Sequence, residues 1–195
     1  MTRTEKNKLK KIVDFYNENG FDHTTEEIGQ AVGITKKTLF NRYGSKKNME
    51  LKAIALFQEQ LVERMESKII FCNNSVESII FLMDEIYAIS KKSPFFFYKI
   101  TQQGYHKSLY LLMEKLIVDG QNKHFFIKDL SIPLFVDFYF QTLFSFIRKG
   151  NFCADIITYV MSPLLTDKGK EALNDMDIEN LIFGNPLLPA IGEME

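Results

Sequence analysis

Apolar side chains recur along this chain at three- and four-residue steps, the period of a helix laid against a core. Leu9, Ile12, Val13 and Tyr16 mark one face of a first helix that should stop near Gly20. Thr24 followed by Glu27 has the form of a capping box and opens a short helix through Val32, which Gly33 breaks. Thr35 caps a further short helix to about Tyr43, and Gly44-Ser45 repeats the stop and the cap. Leu51, Ile54, Ala55, Leu61, Val62, Met65 and Ile69 then predict a long amphipathic helix to about Cys72. A turn at Asn73-Asn74-Ser75 starts the next, which runs to about Ser90. Pro94 suits the first turn of a helix holding Phe95, Phe96, Phe97, Tyr98 and Ile100. Beyond it the pattern predicts helices from His106 to Asp119 and from Ile132 to Lys149, with a loop from Gly120 to Ser131 between them. The last clear helix starts near Ala154, with Pro163 inside its pattern as a kink or stop, and Asn185 to Glu195 reads as irregular. No hairpin signal flanks any strand-like run, so the fold class is all-α.

Composition sharpens this into two regions. The chain has 195 residues, 46% apolar and 25% charged, which excludes a disordered or fibrous chain. Its longest apolar stretch, Leu134 to Ile147, is interrupted by Asp137, Gln141 and Ser145 and is shorter than the ~18–20 residues of a bilayer span. No apolar segment with a cleavage site follows the basic N-terminus, and Cys72 and Cys153 have no paired spacing, so the expectation is a cytoplasmic protein with free thiols. The first 52 residues carry 11 basic and 7 acidic side chains, the remainder 13 and 18. Phenylalanine divides the other way: only three of 18 fall in that first part. A basic head suits a polyanion, and a phenylalanine-rich body has the material for a large core or an apolar pocket. The domain division expected is 1–47 for the head and 48–195 for the body.

The segment Thr24 to Lys47 carries the functional signal. It has the form short helix, glycine turn, short helix, with Ile28, Ile34 and Leu39 spaced to fill the core between the two. Gly29 keeps side-chain volume out of their closest approach, and Gly33 takes the positive φ of the turn. The second helix then presents Lys36, Lys37, Asn41 and Arg42. In a helix-turn-helix the second helix enters the major groove, where Lys, Asn and Thr bond base edges and phosphates. Gly33-Ile34-Thr35, Thr38-Leu39-Phe40, Tyr43 and Ser45-Lys46 together resemble the TetR family of bacterial transcriptional regulators, over about the first 50 residues. The resemblance implies that Thr25 contacts a phosphate, that Thr35, Lys36, Lys37, Thr38 and Asn41 face the groove, that Tyr43 reaches the DNA backbone, and that Lys46 holds a phosphate. Phe40, Lys37 and Gly29 depart from the family pattern, Gly29 standing where alanine is usual and weakening its helix.

The resemblance also implies a homodimer joined by two helices from each subunit. The helix from Ile132 has one narrow polar stripe, Asp137, Gln141, Ser145 and Arg148, and its expected interface residues are Phe135, Phe138, Tyr139, Thr142 and Phe146. Its partner helix would supply Ile157, Val160, Met161 and Leu164. Candidates for an apolar ligand pocket are Phe57, Phe81, Met83, Tyr87, Phe96, Tyr98, Tyr105, Tyr110 and Met113. His23, His106 and His124 lie far apart, no metal-ligand spacing, phosphate loop or catalytic triad occurs, and Asp84-Glu85 are adjacent on one helix and do not form an acid/base couple. No metal, cofactor or enzymatic activity is expected. The sequence therefore reads as a regulator, by resemblance a repressor, that binds a pseudo-palindromic double-stranded operator as a homodimer. A small apolar or aromatic effector releases it, with no membrane involved. The alternative is an apolar-ligand carrier or sensor with a vestigial helix-turn-helix.

Overall fold

The structure, a computed structural model, describes residues 3–102 and 107–183. Among these residues there are helices and no β-strand; one isolated bridge joins Phe126 and Leu165. The chain packs as two compact units. One holds the chain up to Leu61 and the segment from Lys91; the other holds Val62–Ser90 and the chain from Lys107.

In the first unit, α1 (Arg3–Asn19) buries Leu9, Ile12, Val13 and Tyr16, the face expected from their spacing. Phe21 folds back to stack on Tyr16, 4.5 Å between ring centroids. Next come α2 (Thr25–Val32), α3 (Lys36–Tyr43) and the start of α4 (Lys46–Ile69). On α6 (Pro94–Gln102), Phe96 stacks on Phe57 of α4 at 4.2 Å and meets Phe21 edge-on at 5.2 Å. These buried rings make the first unit's core aromatic.

The second unit contains the end of α4, most of α5 (Ser75–Lys92), α7 (Lys107–Asn122), α8 (Ile132–Arg148), α9 (Ala154–Met161), a 3-10 turn at Ser162–Leu164, α10 (Asp167–Asn174) and α11 (Ile178–Phe183). Ser75 Oγ donates to Asp119 at 2.7 Å, tying the start of α5 to α7, and Tyr110 OH donates to the Pro133 carbonyl at 2.6 Å, tying α7 to α8. Pro163 ends α9 as expected. Three expectations are corrected. The long fourth helix ends at Ile69 rather than Cys72. The seventh runs through Gly120 to Asn122, because the Phe126 ring packs where a Gly120 side chain would be; the chain reverses instead at His124, whose φ is 63°. Ordered structure also continues past α9: Thr166 caps α10 by accepting from the Gly169 N–H at 3.2 Å, and α11 follows. The tail from Asn185 lies outside the described residues.

Inside the second unit, α4 and α5 are joined by charge. Glu85 is 1% exposed, is hydrogen-bonded by Arg64, and has Lys68 at 3.6 Å. Its neighbour Asp84 has its carboxyl pushed up to about 7, first by burial, then by the charge of Glu85. The two acids thus sense each other.

Candidate nucleic-acid interface

The α2–α3 motif is built from local capping. The Thr24 N–H donates to Glu27 at 2.7 Å while the Glu27 N–H donates to the Thr24 hydroxyl at 3.2 Å, closing the expected capping box. Gly33 takes φ 70°, the left-handed conformation that costs glycine nothing. The Ile34 N–H then donates to the Gly29 carbonyl at 2.9 Å, and a Cβ on Gly29 would sit 2.5 Å from the Ile34 carbonyl oxygen. Gly29 is therefore a requirement of this turn, and not only a weak helix former. Thr35 caps α3 by accepting from the Thr38 N–H at 3.2 Å; its hydroxyl also bonds that of Thr38 at 2.9 Å. Ile28, Val32 and Leu39 are buried between the helices, while Ile34 is half-buried at the turn.

Of the residues expected to meet DNA, four are exposed and four, Thr25, Thr38, Tyr43 and Lys46, are partly buried. Lys37 and Asn41 are exposed, as are Thr35 and Lys36. Lys36 is paired with Glu26, and that hydrogen bond holds the Glu26 carboxyl below its ordinary range. The Thr25 hydroxyl donates to Glu26 at 3.0 Å. Lys46 donates to the Phe21 carbonyl at 3.0 Å and lies 3.5 Å from Glu50, so its ammonium closes the loop before α2 onto α4. Tyr43 is half-buried, with burial raising its hydroxyl, and Lys52 sits 5.5 Å over its ring. Arg42, named from sequence on the second helix without a contact of its own, and Lys52, which the sequence reading did not name, belong to this surface. Arg42 stands on α3 beside Asn41, and Lys52 reaches the same surface from α4.

The expected interface residues divide. Phe135, Phe138, Thr142 and Phe146 of α8, with Val160 and Leu164, line one groove of about 480 Å³ whose wall is almost wholly apolar. Phe138 is 58% exposed and Tyr159, which the sequence reading omitted, 84%. Tyr139, Ile157 and Met161 are buried within the chain and present no surface, a correction that follows from which side α8 and α9 turn inward. Asp155, Ile156, Tyr159 and Pro163 complete the groove in their place.

The pocket candidates fall in both units. Phe57 and Phe96 are stacked core rings of the first, where Tyr98 is exposed. In the second unit Met83 and Met113 are fully buried, Phe81 carries Lys68 5.8 Å from its ring, Tyr87 packs on Phe152 and Tyr110 is half-buried. Tyr105 and His106 lie outside the described residues. Among the described residues no group of His, Cys, Asp and Glu is placed to hold a metal, and no helix is long and apolar enough to cross a membrane.

No family model matches the chain, and no curated protein matches it in sequence. Solved structures do match in fold. The transcriptional regulator FadR from Bacillus subtilis, in complex with stearoyl-CoA, shares 16% identity over 94% of this chain and all of its own, with a TM-score of 0.58. RolR in complex with resorcinol shares 12% identity over 96% of this chain and 99% of its own, TM-score 0.67. CprB from S. coelicolor A3(2), a TetR family protein, shares 13% over 94% of this chain and all of its own, TM-score 0.68. At these identities the likeness speaks to architecture, and the architecture is the one the first 50 residues resemble: the chain has the fold of the TetR-type transcriptional regulators.

Proposed function

We propose that this protein is a one-component transcriptional regulator whose head, residues 1–47, binds DNA and whose body, residues 48–195, binds a small effector and a second copy of the chain. The observation that carries the reading is the capped α2–α3 turn, which fixes α3 with Lys36, Lys37 and Asn41 exposed along one short helix. Those residue types at the N-terminal end of a second helix suit base edges and phosphates in a major groove. The apolar groove formed by α8 and α9 suits a homodimer, and two recognition helices about one turn of DNA apart (~34–36 Å) would meet an inverted repeat. The structural neighbours that hold stearoyl-CoA and resorcinol support an effector with a large apolar or aromatic part. Such a ligand acts by preferring the released state, which makes the protein a repressor that its effector lifts from DNA. No catalytic step is assigned to it.

The test is selection of bound sequences from a random duplex library, run with the native chain and with Lys36→Ala/Asn41→Ala. An enriched inverted repeat that the double variant loses supports the reading and reports the dimer at the same time. No enrichment at low salt supports instead a carrier or sensor of apolar ligands whose helix-turn-helix is vestigial.

A further inference from the structure

A groove of about 780 Å³ opens in the first unit between α1, α3 and α4. Its rim includes Asn41, so it continues the exposed surface of α3. Arg42 and Lys52 line it, and among the described residues neither has a carboxylate at ion-pair distance. One Nη of Arg42 is buried without a hydrogen-bond partner. A guanidinium donor withdrawn from water with nothing accepting from it is costly, and its planar fork matches the oxygens of a phosphate. Lys52 is held over the Tyr43 ring, 5.5 Å from its centroid, so the second cation is also localised. The cations nearer the turn are differently committed: Lys36 pairs with Glu26, and Lys46 is spent on the Phe21 carbonyl and Glu50.

We propose that this groove seats the sugar-phosphate backbone of the bound duplex beside the base pairs that α3 faces, with Arg42 and Lys52 as its phosphate ligands. The inference rests on the DNA-binding reading and adds a backbone seat to it. Two carboxylates also line the groove, Glu5 on α1, close enough for its charge to act on Tyr43, and Glu59 further along α4, so the polyanion is held at the Arg42–Lys52 lip and both acids oppose a deeper approach.

The experiment measures affinity for the selected operator and for a mixed-sequence duplex between ~50 and 200 mM salt. The variants are Arg42→Gln, Arg42→Lys, Lys52→Gln and Glu5→Gln, each checked for an unchanged melting temperature. Arg42→Gln and Lys52→Gln are expected to weaken both duplexes about equally, by roughly tenfold each, and together to reduce the salt slope by about two per subunit, about four for the dimer. Arg42→Lys should keep the slope and lose part of the affinity, and Glu5→Gln should bind both duplexes more tightly. Unchanged affinity and slope in the double Gln variant, with native protein still binding its operator, overturn the backbone seat and leave the DNA-binding reading standing. A loss confined to the operator also overturns it, because a backbone contact carries no sequence preference. Native protein that binds neither duplex overturns the DNA-binding reading and the seat with it.

Discussion

Glu85→Leu tests whether the α4–α5 charge cluster is a structural necessity or a dispensable contact. Glu85 is 1% exposed, and Arg64, which hydrogen-bonds it, is 11% exposed in its side chain. Two further atoms of the pair, Arg64 Nε and Glu85 Oε1, are buried without a hydrogen bond. Removing one partner of a buried pair leaves an uncompensated charge and costs about 3–5 kcal/mol. In a chain of this length each kcal/mol shifts the melting temperature by roughly 2–4 °C, so Glu85→Leu should melt about 6–20 °C lower. Arg64→Met should cost less, because Lys68, already 3.6 Å from Glu85 and only partly buried, can move onto the orphaned carboxylate. Neighbouring positions on the two helices, Met65, Met83 and Ile86, are buried and apolar, so Arg64→Met/Glu85→Leu should recover most of the loss. The assay is thermal and urea unfolding of all three variants at one protein concentration, since association couples to stability. A double variant as unstable as Glu85→Leu alone would refute the reasoning, as would a single variant costing under about 1 kcal/mol, the range of an exposed pair.

Two other outcomes follow from the same geometry. Asp84 has a folded pKa of about 7 against an ordinary value of 3.8, so between those values the folded state holds a proton that the unfolded state has lost. Its contribution to stability is therefore greatest at acid pH, falls as pH rises from about 4 to about 7, and is level above that. The difference in melting temperature between Asp84→Asn and the native chain should grow in the variant's favour across that window, and a difference independent of pH would contradict the assignment. Gly29→Ala gains about 1 kcal/mol of helix propensity but places a methyl 2.5 Å from a backbone oxygen that cannot swing away. The net effect should be a loss of about 1–3 kcal/mol, with weaker DNA binding as α3 shifts; a melting temperature at or above that of the native chain would show that the turn relaxes freely.

The parts of the molecule legible in the sequence are those decided by a few neighbouring residues. Thr24 with Glu27, Gly33, and Thr35 with Thr38 each close a hydrogen bond or adopt a φ within four positions, and each sits where its spacing says. Gly120 shows the limit of such local reading. It looks like a stop, yet the helix continues because Phe126 needs the missing side chain's space, and Phe126 returns from a turn further along. The α8 helix shows a second limit. Apolar residues cover most of its circumference, so periodicity identifies it as enclosed without telling which apolar side meets its own chain. Phe138 and Tyr139 are adjacent and equally apolar by type, but Phe138 is 58% exposed and Tyr139 1%. The candidate DNA-contacting residues were legible as residue types on one helix face; their pairing states were not, because Glu26, Phe21 and Glu50 reach them from other parts of the fold.

Those pairing states rank the head's cations more finely than a count of charges does. Lys36 and Glu26 are both more than half exposed, and an exposed pair contributes about 0–1 kcal/mol, so a phosphate or a guanine edge competes with Glu26 at small cost. Lys46 is different. Its ammonium satisfies the carbonyl of Phe21, whose buried ring is stacked on Tyr16 and edge-on to Phe96 in the first unit's core. Turning Lys46 outward to DNA would leave that carbonyl without its partner and loosen the residue that joins α1 to α2. The same position that the family resemblance assigns to phosphate binding is, in this chain, already a brace between the Phe21 loop and α4. An exchange reaction of this kind favours DNA at Lys36 and the fold at Lys46. The electrostatic part of DNA affinity should then come from Lys36, Lys37, Arg42 and Lys52, and the counterions released per subunit should match those four rather than the eleven basic residues of the first 52.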